Sequence, residues 1–529
     1  MQAAATAVAW RCRFSGAATR VIRTLMTTPR AEQTPLFSRR ELGVLLHPTS
    51  LFGSEDVGTL GRHAFAFVDW LEQAGATIWQ ILPLTPNGLH NSPYFSPSAF
   101  AGNPWLIDLD TLRQHGLLEG HTPGTVRDAR VPFADLPDTK LPLLLAAAAA
   151  FLGMPHHPLW PAFQAFRERE SWLEYTAHFF ALKEEHAGAP WWTWEPGLRE
   201  RRPGAVARSR VALAHRIEVW EAVLFFFEQQ WRALRAYANG TGIRVLGDLP
   251  IYVHHDSADV WRHSEQFRLG DDGRLTVQSG VPPDYFSATG QLWGNPIYDW
   301  NRMAPDGFSW WIARLRRCAA LTDIVRLDHF RALSAYWEIP GDAQDARSGR
   351  WVPGPGQQFF DTVARHFPAM PFVAEDLGTL DESVLALRDH NRLFGMRILQ
   401  FGFDGLPDNL HRPDVFPEGS IAYTGTHDND TLRGWWESLD AGQRATVAAY
   451  YQFRPDDPPG KVVWSLIEAA VACRSRVAVI PLQDLLVLDT RARMNDPARF
   501  VGNWEWRLPP DGLSDELARS LRRLRDRYR

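Results

Sequence analysis

The sequence is short of lysine, cysteine and long apolar runs, and each shortage excludes something. Only Lys140, Lys183 and Lys461 stand among 56 basic residues, and the net charge is -5. The arginine-rich balance reflects coding bias. Without a basic block, nucleic acid is excluded as the main partner, because neutralising phosphates needs concentrated Lys and Arg. The three cysteines, Cys12, Cys318 and Cys473, are widely spaced with no CxxC pattern, which predicts no disulfide and a reducing, cytoplasmic setting. No apolar run approaches the roughly 20 residues that span a bilayer, so a soluble chain without a membrane partner is expected. No GxGxxG follows a strand, and Gly354-Pro355-Gly356 is too short and proline-rich to cradle a phosphate, which argues against hydride transfer and phosphorolysis. The His and Asp residues form no compact ligand set, so neither a metal nor a cofactor is expected.

What is present is a 529-residue chain, 45% hydrophobic and 22% charged, long enough for one large catalytic domain with insertions. Its 23 tryptophans point toward carbohydrate, since aromatic faces stack on sugar rings as well as filling cores. Residues 1–38 carry no acid before Glu32 and read as a disordered tail, an upstream extension of a start at Met26, or a targeting-like segment.

Apolar runs at 42–47, 76–83, 243–248, 322–328, 371–376, 396–401, 421–424 and 476–481 read as eight buried strands separated by helical patterns. This rhythm predicts an α/β fold, a (β/α)8 TIM barrel over 39–529. A helical insertion is expected at about 105–212 and a substrate-loop insertion at about 254–306. Asp248, Asp328, Glu375 and the pair His427-Asp428 all fall at or just past strand ends, so they share the carboxyl-terminal rim where such barrels carry chemistry.

Arg326 stands two residues before Asp328, on the same side of an extended chain. Its charge is expected to hold that carboxylate ionised and lower its pKa, as a nucleophile requires; the alternative is a structural ion pair closing a strand. Glu375 ends a strand of Pro, Phe, Val and Ala, apolar surroundings that raise a carboxyl pKa and suit an acid/base. Asp428 either grips substrate hydroxyls or forms an Asx turn in Thr426-His427-Asp428-Asn429-Asp430.

At these residues the chain resembles the 4-alpha-glucanotransferases of glycoside hydrolase family seventy-seven, in the α-amylase clan. The resemblance rests on Gly247-Asp248-Leu249-Pro250-Ile251-Tyr252-Val253, Arg326-Leu327-Asp328, Ala374-Glu375-Asp376-Leu377-Gly378, Tyr423-Thr424-Gly425-Thr426-His427-Asp428-Asn429-Asp430, the stretch 282–296, and Arg493-Met494-Asn495 with Gly502-Asn503-Trp504-Glu505-Trp506-Arg507. It implies catalytic Asp328, Glu375 and Asp428. It also implies a retaining mechanism through a covalent glucosyl-Asp328 intermediate, with Glu375 as acid/base. Sugar contacts are implied for Tyr94, Ser92, Asp248, Asp284, Tyr285, Phe286, Gln291, Trp293, Asn295, Arg326, Phe401, Asp404, His427 and Asn495. The implied partners are alpha-1,4-glucans and glucose, on a monomer or weak homodimer. A mobile lid is read over 282–296, with Gly290 and Gly294 as its pivots. The competing activity is a retaining α-glucan hydrolase on the same barrel.

Overall fold

The computed structural model describes residues 36–120, 130–283, 287–378, 380–405 and 409–528. Its strands in chain order are β1 Glu41–Leu45, β2 Ile78–Gln80, β3 Arg244–Leu249, β4 Val277–Val281, β5 Gln291–Pro296, β6 Ile324–Leu327, β7 Ala335–Pro340, β8 Arg350–Pro353, β9 Phe372–Ala374, β10 Gly395–Ile398, β11 Ser420–Tyr423 and β12 Val477–Pro481. Eight of them form a parallel sheet in the order β10-β11-β12-β1-β2-β3-β6-β9. A parallel bridge from Val373 to Phe394 joins its two ends, with the Ala374 N–H donating to the Phe394 carbonyl at 2.8 Å. The chain therefore folds as a (β/α)8 barrel.

Strand period sorts the core into two layers. Leu45, Ile78, Leu246, Ile324, Val373, Ile421 and Val479 point inward and pack together inside the ring. Val44, Trp79, Val245, Val325, Phe372 and Ala422 point outward against the helices. Both faces are buried, as in parallel sheets generally, which is why these strands read as continuous apolar runs. Each such aliphatic side chain contributes about 1.5–3 kcal/mol on burial. Close packing sets one position outright: a Cβ on Gly43 would sit 3.0 Å from Val479 and 3.1 Å from Ile78.

Outside the barrel, the 27-residue helix Ala214–Gly240 buries Phe225, Phe226, Phe227 and Trp231. It packs on the helices Arg62–Ala74, Leu141–Leu152 and Leu173–Glu185. The remaining strands form a second, antiparallel sheet in the order β5-β4-β7-β8. This sheet differs from the sequence reading, which treats the region as loop. The C-terminal half of the stretch read as a mobile lid is strand β5, paired to β4. Gly290, at φ 68°, is a turn requirement here, since a Cβ would sit 2.4 Å from the Val281 carbonyl oxygen. Among the described residues no helix is long and apolar enough to cross a membrane.

Candidate active site

The alternation that builds the barrel also aims its chemistry. Ile324 points inward, so Arg326 and Asp328 do too; Leu246 does the same for Asp248, and Val373 for Glu375. Register then decides which of these groups meet. β3 and β6 pair Asp248 with Arg326, while β6 and β9 pair Leu327 with Ala374. One step further along the second pair, Glu375 falls beside Asp328, and the Glu375 N–H donates to the Leu327 carbonyl at 3.0 Å. Neighbouring strands lie about 4.8 Å apart. Two carboxyl groups carried side by side on adjacent strands of one rim can act on a single bond, one as nucleophile and the other as proton donor.

Their surroundings differ. Arg326 is 4% exposed, and its Nη1 donates to both Asp248 oxygens at 2.7 Å and to Asp328 Oδ1 at 2.8 Å. One cation is thus divided between two carboxylates. The sequence expectation of a lowered Asp328 pKa is corrected on this point. Burial pushes Asp328 up to about 7, Arg326 opposes the rise, and the charges of Asp248 and Asp428 add to it. Asp328 keeps 23% of its side chain open, which moderates the effect. Glu375 goes higher, to about 8, driven by burial against Arg326 and reinforced by Asp328 and Asp376. Its Oε2 accepts from the His329 N–H at 2.6 Å, and its Oε1 accepts from the Leu377 N–H at 3.1 Å. His329 holds φ 44°, a left-handed turn uncommon outside glycine, at the residue whose amide meets Glu375.

Asp428 projects from the loop after β11, with 45% of its side chain exposed. Asn495 Nδ2 donates to its Oδ1 at 2.6 Å, and Arg493 Nη2 donates to its carbonyl at 2.6 Å. The side chain that closes this segment is Asn429, whose Oδ1 accepts from the Thr426 N–H at 2.8 Å and the Thr426 hydroxyl at 2.9 Å. The Asp428 carboxylate faces the cleft instead. Tyr94 joins the two halves of the rim: its hydroxyl donates to Asp248 Oδ2 at 2.6 Å and lies 2.9 Å from His427 Nε2. Ser92 sits beneath it, its hydroxyl oxygen accepting from the Tyr94 N–H at 3.2 Å. On the opposite side Trp293 packs edge-on against His329, with ring centroids 4.8 Å apart, and its Nε1 donates to Gln291 Oε1 at 3.1 Å. Asn295 is buried in the same strand.

Asp284, Tyr285 and Phe286 lie outside the described residues. Phe401 and Asp404 are on the segment after β10, with Phe401 against His411 at 5.5 Å. The sequence reading missed His329 as a supporting residue, together with Trp504, whose ring lies 5.6 Å from Tyr94 and 5.8 Å from His427. His329 crowds with Arg326 and Asp328 at one strand end in the sequence, and Trp504 lies within the C-terminal signature, but neither position reveals the contact it makes. Among the described residues no group of three or more His, Cys, Asp or Glu is placed to hold a metal ion.

Comparison with known proteins places this geometry. Residues 46–514 match the family model of 4-alpha-glucanotransferase, glycoside hydrolase family seventy-seven. A 4-alpha-glucanotransferase of Thermus thermophilus is 45% identical over 491 residues, covering 91% of this chain and 97% of that protein. A chloroplastic/amyloplastic 4-alpha-glucanotransferase of Arabidopsis thaliana is 40% identical over 493 residues, covering 92% and 85%. Among solved structures, an amylomaltase from Streptococcus agalactiae in complex with acarbose superimposes with a TM-score of 0.88 at 37% identity, covering 93% of this chain and 99% of that one. The chain belongs to glycoside hydrolase family seventy-seven and is an enzyme of the 4-alpha-glucanotransferase class.

Proposed function

We propose that the enzyme moves 1,4-alpha-glucan segments from a donor maltooligosaccharide, starch or glycogen to the 4-hydroxyl of an acceptor glucan or glucose by double displacement. Glu375, kept protonated by its surroundings, gives its proton to the glycosidic oxygen as Asp328 attacks the anomeric carbon. The donor's reducing-end portion departs with that proton, leaving a glucosyl ester on Asp328. The acceptor's 4-hydroxyl then surrenders its proton to the Glu375 carboxylate and attacks the same carbon. Asp328 is released, and two inversions restore the α configuration.

Asp428, steadied by Asn495, takes substrate hydroxyls whose bonds strengthen as the ring flattens. Tyr94, Asp248, Arg326 and His427 hold the rim in register. Trp293 covers the reacting carbon and favours a sugar over water. Sugar contacts from Ser92, Gln291, Asn295, Phe401 and Asp404, and from Asp284, Tyr285 and Phe286, belong to the same proposal.

The observation that carries this reading is the placement of Glu375 beside Asp328 on adjacent parallel strands, with Arg326 bonded to only one of them. A cytoplasmic monomer or weak homodimer completes the proposal; Cys318 and Cys473 are free thiols among the described residues, which supports a reducing compartment. The test is incubation with maltotriose alone. A ladder of longer oligosaccharides and released glucose at constant total reducing ends supports transfer. Rising reducing ends without longer products would mean that water wins and the enzyme acts as a retaining hydrolase.

A further inference from the structure

A cavity of about 420 Å³ lies away from the cleft, between the helix Leu173–Glu185, the turn at Arg201, residues 262–266 and the helix Ser309–Leu321. Its volume falls within the range of small-molecule sites, roughly 300–1,000 Å³. None of its lining residues belongs to the carboxylate cleft.

Two features point to what it would hold. The first is unbalanced positive charge. Arg201 sits at φ 54° with its guanidinium 4.3 Å over the Trp261 ring, and its Nη1 is buried with no hydrogen-bond partner among the described residues. Burial first and the charge of Arg262 second lower its pKa to about 10, with Glu265 opposing. The nearby acids offset this pair only in part: Glu174 is engaged by Arg210, and Glu265, 58% exposed and 3.8 Å from His263, is the acid whose charge acts on both arginines. The second feature is an apolar wall of Trp172, Tyr175 and Trp310, with Gln266 Oε1 and Trp310 Nε1 also unpartnered among the described residues.

We propose that this cavity binds a phosphorylated monosaccharide, its phosphate between Arg201 and Arg262 and its sugar ring against Trp172, Tyr175 and Trp310. Guanidinium groups match phosphate oxygens in both geometry and charge. Aromatic faces suit the C–H face of a sugar. A neutral glucan would leave the excess positive charge unmatched, and inorganic phosphate would leave the aromatic wall unused.

The full-length enzyme is titrated calorimetrically with glucose 1-phosphate, glucose 6-phosphate, inorganic phosphate and glucose, with and without saturating maltotriose. At least one sugar phosphate is expected to saturate a single site more tightly than phosphate or glucose, without competition from maltotriose. Arg262→Gln, an exposed position that leaves the fold intact, is expected to weaken that binding about tenfold or more, while maltotriose disproportionation in the absence of sugar phosphate is unchanged. Arg201→Gln gives a second reading of the same site. Absence of saturable binding, displacement by maltotriose, equal binding of phosphate alone, or binding indifferent to both substitutions would each overturn the proposal.

Discussion

Replacing Arg326 with methionine tests how the rim is wired. Asp248, fully buried, loses its only ion-pair partner among the described residues, and breaking a buried pair costs about 3–5 kcal/mol. For a chain of 529 residues the unfolding entropy is about 1 kcal/mol per degree, so Tm should drop by roughly 3–5 °C. Activity should fall further. A unit charge at this contact distance stabilises the ionised carboxylate by about 4 kcal/mol at an effective dielectric of 20, or about three pKa units. Asp328, raised to about 7 with the arginine present, would move further up, and its ionised fraction at pH 7 would fall by about two to three orders of magnitude. The kcat/KM for maltotriose disproportionation at pH 7 should therefore drop by about two to three orders of magnitude and recover as pH rises. Recovery is permitted because Arg326 also holds Glu375 down, so the acid form persists to higher pH in the variant. Adding Asp248→Asn should restore most of the lost Tm but only part of the activity, since the orphaned charge that also raises the Asp328 pKa is gone while Asp328 still lacks its cation. An unshifted pH profile with a loss below tenfold would refute the argument.

Three other outcomes follow from the same geometry. The raised carboxyls of Asp328 and Glu375 bind protons more tightly in the folded state, so their stabilising contribution is complete below their ordinary values near 4 and is lost as pH rises through about 7 and 8; Glu375→Gln should lose less Tm than the parent between pH 5 and pH 9, measured by calorimetry. Tyr94→Phe removes hydroxyl contacts to Asp248 and His427 and should cost about 1.5–3 kcal/mol in transition-state stabilisation, read as a 10- to 100-fold lower kcat/KM with folding intact. Trp293→Ala uncovers His329 beside the nucleophile and should raise the ratio of hydrolysis to transfer, scored by reducing-end release from maltotriose; an unchanged ratio in a folded protein would remove Trp293 from water exclusion.

The barrel was legible because parallel strands buried on both faces leave continuous apolar runs, as in Val477 to Ile480, and because the charged residues stand at strand ends. The antiparallel sheet was not. Its outermost strand β8 is largely exposed, and β5 is broken by Gly294 and ends at Pro296, so neither shows strand periodicity. Arg326 shows the limit of local spacing most clearly. Its neighbour two residues on, Asp328, is visible in the sequence, but its doubly bonded partner Asp248 is fixed by the register of β3 on β6, 78 residues away. Burial, reinforced by the charge of Asp248, reversed the net pKa direction of Asp328. The same holds for Asp428: which of several adjacent polar residues closes the turn depends on side-chain geometry, and Asn429 does so.

The claim on which the mechanism rests is that Asp328 becomes covalently glycosylated. The direct measurement is mass spectrometry of the Glu375→Gln variant after brief exposure to an α-maltosyl fluoride, whose leaving group needs no proton. The account predicts a maltosyl adduct on the peptide containing Asp328 that persists when maltose is added, because this variant lacks the base that takes the acceptor's proton. A label on Asp248 or Asp428 instead, or turnover with inverted anomeric configuration and no adduct, would contradict it.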